Sequence, residues 1–410
     1  MTLNFPNSPS SGDQFTGSNN YIYEYDGEKW VFVKLVGGDF STGAIQDGAV
    51  TTAKLANANV TTAKILDANV TTAKIADDAV TLPKIANDLT DKLGHRNLLI
   101  NGDMRVAQRG TTLSTPTNGS FILDRWINYS TKSALTIERG TASGLPGFNT
   151  SLKWTRTTGS AVGVDDYLLI AQKIEGVNSY QLDYGKANAK PITISFWVKS
   201  SVTGNYSLTI RNDTANDTPT SSTTQYNIPN TDWNYITVTI AGPGTANGDW
   251  NGFSILPGLE LMFGLDVGTD YHASSADTWV TSPSKFGLAT AANTWADTTG
   301  NTFEMTGVQL EMGSTATPFE HTDLTTELAK CQRYYYRNEN FMYSSRYGSN
   351  NAMALVHMPV TMRDTPSSFV YTVSGMNGSF IANYINRHVC TAYHSDISYA
   401  LNDIQIDAEL

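Results

Sequence analysis

The sequence predicts a mainly β chain: a small N-terminal hairpin unit, a repetitive fibrous shaft, a β-sandwich and a small terminal domain of mixed α and β structure. Three observations carry this. From Ala49 to Asn87 a ten-residue phrase recurs as ANVTTAKILD, ANVTTAKIAD and DAVTLPKIAN, led in by GAVTTAKLAN. Beyond it, several stretches alternate apolar and polar residues with the period of two that a half-buried strand requires. The 410 residues are 40% hydrophobic and only 16% charged, with 33 glycines, a balance that suits turn-rich β structure better than helices.

Residues 1–38 form the first unit. Tyr21 to Tyr25, then Asp26-Gly27, then Lys29 to Val33 reads as two strands joined at a tight turn. A lone hairpin is marginal in water. Tyr21, Tyr23, Tyr25, Trp30 and Phe32 are too many rings for a solvated hairpin, so a docking surface for copies of the chain or for another protein is expected. The opening MTLNFPNSPSSGDQF has neither a basic start nor an apolar run, and the first lysine is Lys29, which does not fit a Sec signal peptide.

Residues 39–94 hold the repeats. Val50, Val60, Val70 and Val80 alternate with Leu55, Ile65, Ile75 and Ile85, so a large apolar residue comes every five positions. Coiled coils need spacings of three and four. One Val and one Leu or Ile per decapeptide cannot make a monomeric core, whereas several identical chains can share one apolar axis.

Residues 95–323 read as a single sandwich. In Pro191 to Lys199, the residues Ile192, Ile194, Phe196 and Val198 share a face; Ile236, Val238 and Ile240 do the same, as do Leu259, Leu261, Phe263, Leu265 and Val267. Residues 324–410 open with a helix whose apolar face is Leu324, Leu328, Cys331 and Tyr335, capped by Thr322 or Asp323. The run Tyr334-Tyr335-Tyr336 is placed on this helix, with Tyr334 and Tyr336 reaching neighbouring subunits or the sandwich. Short strands follow, such as Met353 to Val360, with turns at Asp364-Thr365-Pro366 and Asn377-Gly378.

The net charge of −11 argues against nucleic-acid binding, and no run of about 20 apolar residues is present to span a bilayer. Cys331 and Cys390 allow at most one bridge; two free, buried thiols are expected for a chain that folds in a reducing compartment. No Cys/His group has metal-ligand spacing, and no nucleophile elbow, phosphate loop or zinc-protease motif occurs, so no cofactor, metal or catalytic role is expected. The acids Asp165, Asp166, Asp266, Glu304 and Glu311 are the candidates for a glycoside-cleaving pair.

Sugar binding needs flat aromatic faces beside amides. Trp197 points away from the row containing Phe196, Tyr235 opposes Ile236, and Trp233 lies two residues earlier on the same side. Gln172, between Ile170 and Ile174, is assigned to the face away from them. If their strands are neighbours, these four side chains line one surface. Trp126 and Trp154 are expected in the core, since Trp154 is in phase with Leu152.

The decapeptides and the opening NFPNSPSSGDQF…YEYDGEKW resemble the N-proximal parts of tailed-bacteriophage fibre proteins, especially from phages of marine bacteria and cyanobacteria. Arg96 to Gly110 (RNLLINGDMRVAQRG), LDRW ending at Trp126, FEMTGVQLEMGSTATPFEH from Phe303 and ELAKCQRYYYR from Glu327 resemble a module of many fibre and prophage proteins. That module is similar to jelly-roll carbohydrate-binding modules. The resemblance implies a homotrimeric tail fibre, made in the host cytoplasm and carried on the virion. Its N-terminus would join other virion tail proteins and its distal end would bind host cell-surface polysaccharide. Related modules often carry Asn-Gly-x-Phe-Glu, whose Glu helps hold a calcium; here Asn101-Gly102-Asp103-Met104-Arg105 puts an arginine there, which cannot ligate a hard cation, and leaves Asp103, in a shifted geometry, as the oxygen ligand that could substitute. Two rival readings stay open: a structural appendage or adaptor whose sandwich is a spacer, and a glycan-cleaving depolymerase.

Overall fold

In the computed structural model the described residues are 3–35, 65, 70, 71, 75 and 96–409, apart from 213–218, 246–249, 251, 253, 282–284, 292, 340–344, 348–350, 375–380 and 395–399. The chain divides into two compact units, Met1–Ile85 and Ala86–Leu410.

Alternating aromatics fold the start of the first unit into three antiparallel strands, β1 (Gln14–Thr16), β2 (Tyr21–Tyr25) and β3 (Trp30–Leu35), in that order across the sheet. The expected hairpin is β2–β3, with Tyr25 opposite Trp30 and Tyr23 opposite Phe32. Asp26 closes its turn by accepting from the Glu28 and Lys29 N–H groups, both at 2.9 Å. Strand β1 was not expected, and it changes what the aromatics do. Phe5 stacks on Trp30 at 5.4 Å and meets Phe15 at 5.2 Å and Tyr23 at 5.1 Å. Tyr21, Tyr23, Tyr25 and Trp30 are therefore half-buried in a core of their own, while Phe32 remains 46% exposed. Of the repeat residues, Ile65, Val70 and Ile75 are described and exposed within the chain; Val50, Leu55, Val60, Val80 and Ile85 lie outside the described residues.

The second unit contains the sandwich. One sheet orders β13 (Asn234–Ile240), β10 (Ile192–Ser200), β16 (Thr302–Met312), β8 (Thr150–Arg156), β7 (Leu135–Thr141) and β4 (Thr112–Ser114). The other orders β15 (Trp279–Thr281), β12 (Thr220–Ile228), β11 (Gly204–Arg211), β14 (Pro257–Val267), β9 (Tyr167–Glu175), β6 (Ile127–Ser130) and β5 (Ser120–Phe121). Between them lies one core that includes Trp126, Trp154, Phe196, Tyr206, Phe263, Trp295 and Phe303. Ile192, Ile194, Phe196 and Val198 all face it, as the alternation requires. Val267 does not. A register shift between Gly264 and Asp266 adds a residue to β14, turning Val267 to the outer face and Asp266 inward.

Three sequence motifs meet at the junction with the terminal segment. Asn97 accepts from the Leu99 and Leu310 N–H groups, and Asn101 bridges Val106 and the Asp124 carbonyl. Gly102 passes so close to β16 that a Cβ there would lie 2.2 Å from the Val308 carbonyl oxygen. Asn101, Met104 and Arg125 all hold positive φ (58°, 61° and 73°), a strained arrangement that this bonding supports. The Asn101 N–H donates to Glu327, Gln108 donates to the Tyr335 carbonyl at 2.7 Å, and Arg125 lies 3.6 Å over Tyr334 while pairing with Glu409.

The terminal segment begins with helix α1 (Leu324–Gln332), and Asp323 caps it by accepting from the Thr326 N–H. Its buried residues are Glu327 and Cys331, whereas Leu324 is 55% exposed, because the Asn101 N–H recruits Glu327 to the inner face. The tyrosine run is not helical: α1 stops before it, and Tyr335 and Tyr336 belong to strand β17 (Tyr335–Asn338). Then come β18 (Ser345–Tyr347), β19 (Asn351–His357), β20 (Ser368–Ser374), β21 (Ile381–Ile385), β22 (Val389–His394) and β23 (Ala400–Asp407). They form two sheets, β17–β23–β20 and β18–β19–β22–β21. The Asn377-Gly378 turn lies outside the described residues. Cys331 and Cys390 are both free and buried, and burial pushes the Cys390 thiol up to about 11.

Candidate functional site

Each sheet turns one face to the core and the other outward. On the six-stranded sheet, Trp197 of β10 stands opposite Tyr235 of β13, with ring centroids 5.1 Å apart. Tyr235 is 46% exposed, and Trp197 is half-buried. Beside them a bulge in β16 places Gly307 at φ +61°, where a Cβ would lie 2.6 Å from the Phe148 ring and 3.3 Å from the indole of Trp197. Trp233 is half-buried just before β13. The segment after β16 folds back over this face: Thr317 and Glu320 donate backbone N–H groups to Glu311 and Gln309, both of which are buried. The Trp197–Tyr235 side stays open, as does the Lys153–Glu138 pair on β8 and β7.

Gln172 is not part of that surface. It lies on β9 in the other sheet, and its neighbours Ile170 and Ile174 share its face rather than opposing it, because residues two apart on a strand point the same way. The side chain is buried and clamps Ile100, accepting from its N–H at 2.8 Å and donating to its carbonyl at 2.9 Å.

The outer face of the seven-stranded sheet carries a groove of about 260 Å³ that residue patterning missed. Leu169 and Met262 form its floor with Phe286; Tyr129, Tyr167 and Tyr271 stand around it; Asn118 and Arg211 supply polar groups. Tyr271 stacks on Phe286 at 4.7 Å, and Tyr167 meets both rings edge-on at 5.2 and 5.4 Å. Arg211 donates from Nε to the fully buried Glu260 at 2.6 Å, which offsets its charge and fixes its plane. Burial, then Tyr167 and the carboxylates of Asp165, Asp270 and Asp166, raise the Tyr271 phenol above its ordinary value, so it remains a neutral hydroxyl donor at physiological pH. The one sequence signal for this groove is the unbroken apolar run Leu168 to Ala171, which marks a strand covered on both faces.

Four of the candidate acids are engaged by neighbouring groups. Asp266 turns inward and accepts from the Ala296 N–H at 3.0 Å, Asp166 pairs with Lys132 at 2.6 Å, Glu304 accepts from Ser151, and Glu311 lies beneath the folded-back segment. The Asp103 carboxylate is engaged by Arg105. Among the described residues no group of three or more His, Cys, Asp or Glu side chains is placed to hold a metal ion.

No protein-family model matches the sequence, and no curated protein does. Among solved structures, the chain is similar to the enzymatically active domain of tailspike protein 4 of bacteriophage CBA120. That match has 16% identity and a TM-score of 0.28, and it covers 53% of this chain and 21% of the tailspike. It is also similar to a family 11 carbohydrate-binding module from Clostridium thermocellum, solved with a mixed-linked tetrasaccharide (14% identity, TM-score 0.24, 52% of this chain and 97% of that one). A family 30 carbohydrate-binding module is similar at 10% identity and a TM-score of 0.28, over 57% of this chain and 96% of that one. These are loose likenesses that carry no weight for function.

Proposed function

We propose that this chain is a virion fibre, a phage tail fibre or similar appendage, whose β-sandwich recognises a polysaccharide on the host surface. The aromatic groove on the seven-stranded sheet carries the reading. Tyrosine faces over an apolar floor suit the C–H surfaces of a sugar ring, while the Asn118 amide, the Arg211 guanidinium and the Tyr271 hydroxyl suit its hydroxyl groups. The decapeptides support a homotrimer, since Ile65, Val70 and Ile75 are exposed in the single chain. Three copies would then combine weak sites through effective concentration. The N-terminal unit would join other virion tail proteins, leaving the sandwich to meet the host.

The test is a polysaccharide array probed with the intact chain, with reducing-end release measured on every glycan retained. Retention without release supports recognition. Release would favour a depolymerase, and a folded chain that retains nothing would leave the sandwich a spacer.

A further inference from the structure

Among the described residues, strand β3 is the outer strand of the N-terminal sheet, and Val31, Phe32 and Val33 are exposed there at 41%, 46% and 44%. Successive residues on a strand point to opposite faces, so these three put apolar surface on both sides of one edge. The backbone N–H and C=O groups of an edge strand point alternately to its neighbour and outward, which leaves half of them open to a further strand. Exposed edges are usually blunted by proline, by charge or by a bulge. Trp30 to Val33 contains neither proline nor charge; the only such devices on β3 are Lys34 and a bulge, where Ile22 faces Lys34 and Tyr23 faces Phe32.

We infer that the β3 edge is a strand-pairing surface for a second copy of this chain. The choice of occupant comes from the same unit. Ile65, Val70 and Ile75 are exposed at a constant five-residue spacing, and a repeated row of that kind is best matched by the same row on another copy. Copies that align along their repeats bring their N-terminal sheets together a few tens of residues upstream, with the β3 edge of one copy facing the next. Pairing there would add main-chain hydrogen bonds and cover Val31, Phe32 and Val33 at once. The inference stands apart from glycan recognition, because no residue of the sandwich takes part.

Deuterium uptake of the peptide covering residues 29–35, measured on the intact chain together with sedimentation, tests it. The expected result is an oligomer with slow exchange over this peptide. The Val31→Lys/Val33→Lys variant should exchange there at least tenfold faster, with the near-ultraviolet signal of the aromatic cluster unchanged. If that signal collapses, Val31→Thr/Val33→Thr keeps strand propensity and should still speed exchange. Equal uptake in the oligomer and the variants would overturn the inference. So would a monomer at every concentration, or protection that appears only after a virion tail protein is added.

Discussion

Tyr271 lies over Phe286 with 18° between the ring planes, held there by the Phe286 N–H donating to the Tyr271 carbonyl at 3.0 Å. The lower ring is buried and the upper one half-buried, so the pair joins the sandwich wall to an open aromatic face. Tyr167 extends that face without sharing the burial of Phe286.

The two outer faces should separate by mutation. Tyr167→Ala should weaken polysaccharide binding by about 1–3 kcal/mol, the scale of aromatic anchors at interfaces, and should also lower the melting temperature, since the ring packs on Tyr271 and Phe286. Trp197→Ala removes a ring packed against Tyr235 and Gly307, and should cost roughly 1–3 kcal/mol of stability while leaving affinity intact. Calorimetric titration and thermal melts of both variants check this; the opposite pattern would move the site to the six-stranded sheet.

Gln172→Ala should destabilise by about 1–3 kcal/mol for each Ile100 group left buried without a partner. Gln172→Glu should be no rescue, since a carboxylate cannot donate to the Ile100 carbonyl. Urea unfolding of the two variants is the measurement, and a wild-type midpoint for either would show that Ile100 finds other partners.

Burial raises the Asp266 carboxyl from an ordinary 3.8 to about 6. Its folded value lies above its unfolded value, so its contribution is complete below pH 4 and is lost as pH rises through 6, on the order of 3 kcal/mol in all. Asp266→Asn keeps an acceptor for the Ala296 N–H and removes the ionisation. Stability profiles from pH 4 to 7 should show a flatter slope for the variant and a higher midpoint at pH 7.

Arg125 and Glu409 form a buried pair, and Arg125 also donates to the Lys173 carbonyl at 2.7 Å. Glu409→Ala should cost about 3–5 kcal/mol, because it leaves the buried Arg125 without its carboxylate partner; Arg125→Ala should cost less, because Glu409 keeps Arg109 at 3.2 Å. The double variant should cost much less than the sum of the two. A double-mutant cycle by chemical denaturation reads this directly, and additive losses would show that the two charges act independently.

What the sequence disclosed followed strand periodicity. Ile192 to Val198 and the burial of Trp154 could be read from residue spacing, and the β2–β3 hairpin from its Asp26-Gly27 turn. Periodicity failed where the backbone departs from it or where two segments meet only in space. The bulge before Asp266 reversed Val267. Gln172 was set on the wrong face although Ile170 and Ile174 share its phase. Tyr335 left the helix because β23 offers it a ladder opposite Asp407. The stacked pair in the groove, Tyr271 and Phe286, comes from two residues outside the strands, joined by backbone bonds next to the His272–Gly287 bridge, and no local pattern encodes that meeting.

Strand β16 lies between β10 and β8 in the middle of the six-stranded sheet. Without it, β13–β10 on one side and β8–β7–β4 on the other share no strand-to-strand bond. A ribosome that has synthesised everything up to residue 301 has therefore released two sheet fragments with a gap between them. The last eleven residues of the sandwich act as its keystone, and closure must wait for contacts with partners more than a hundred residues upstream.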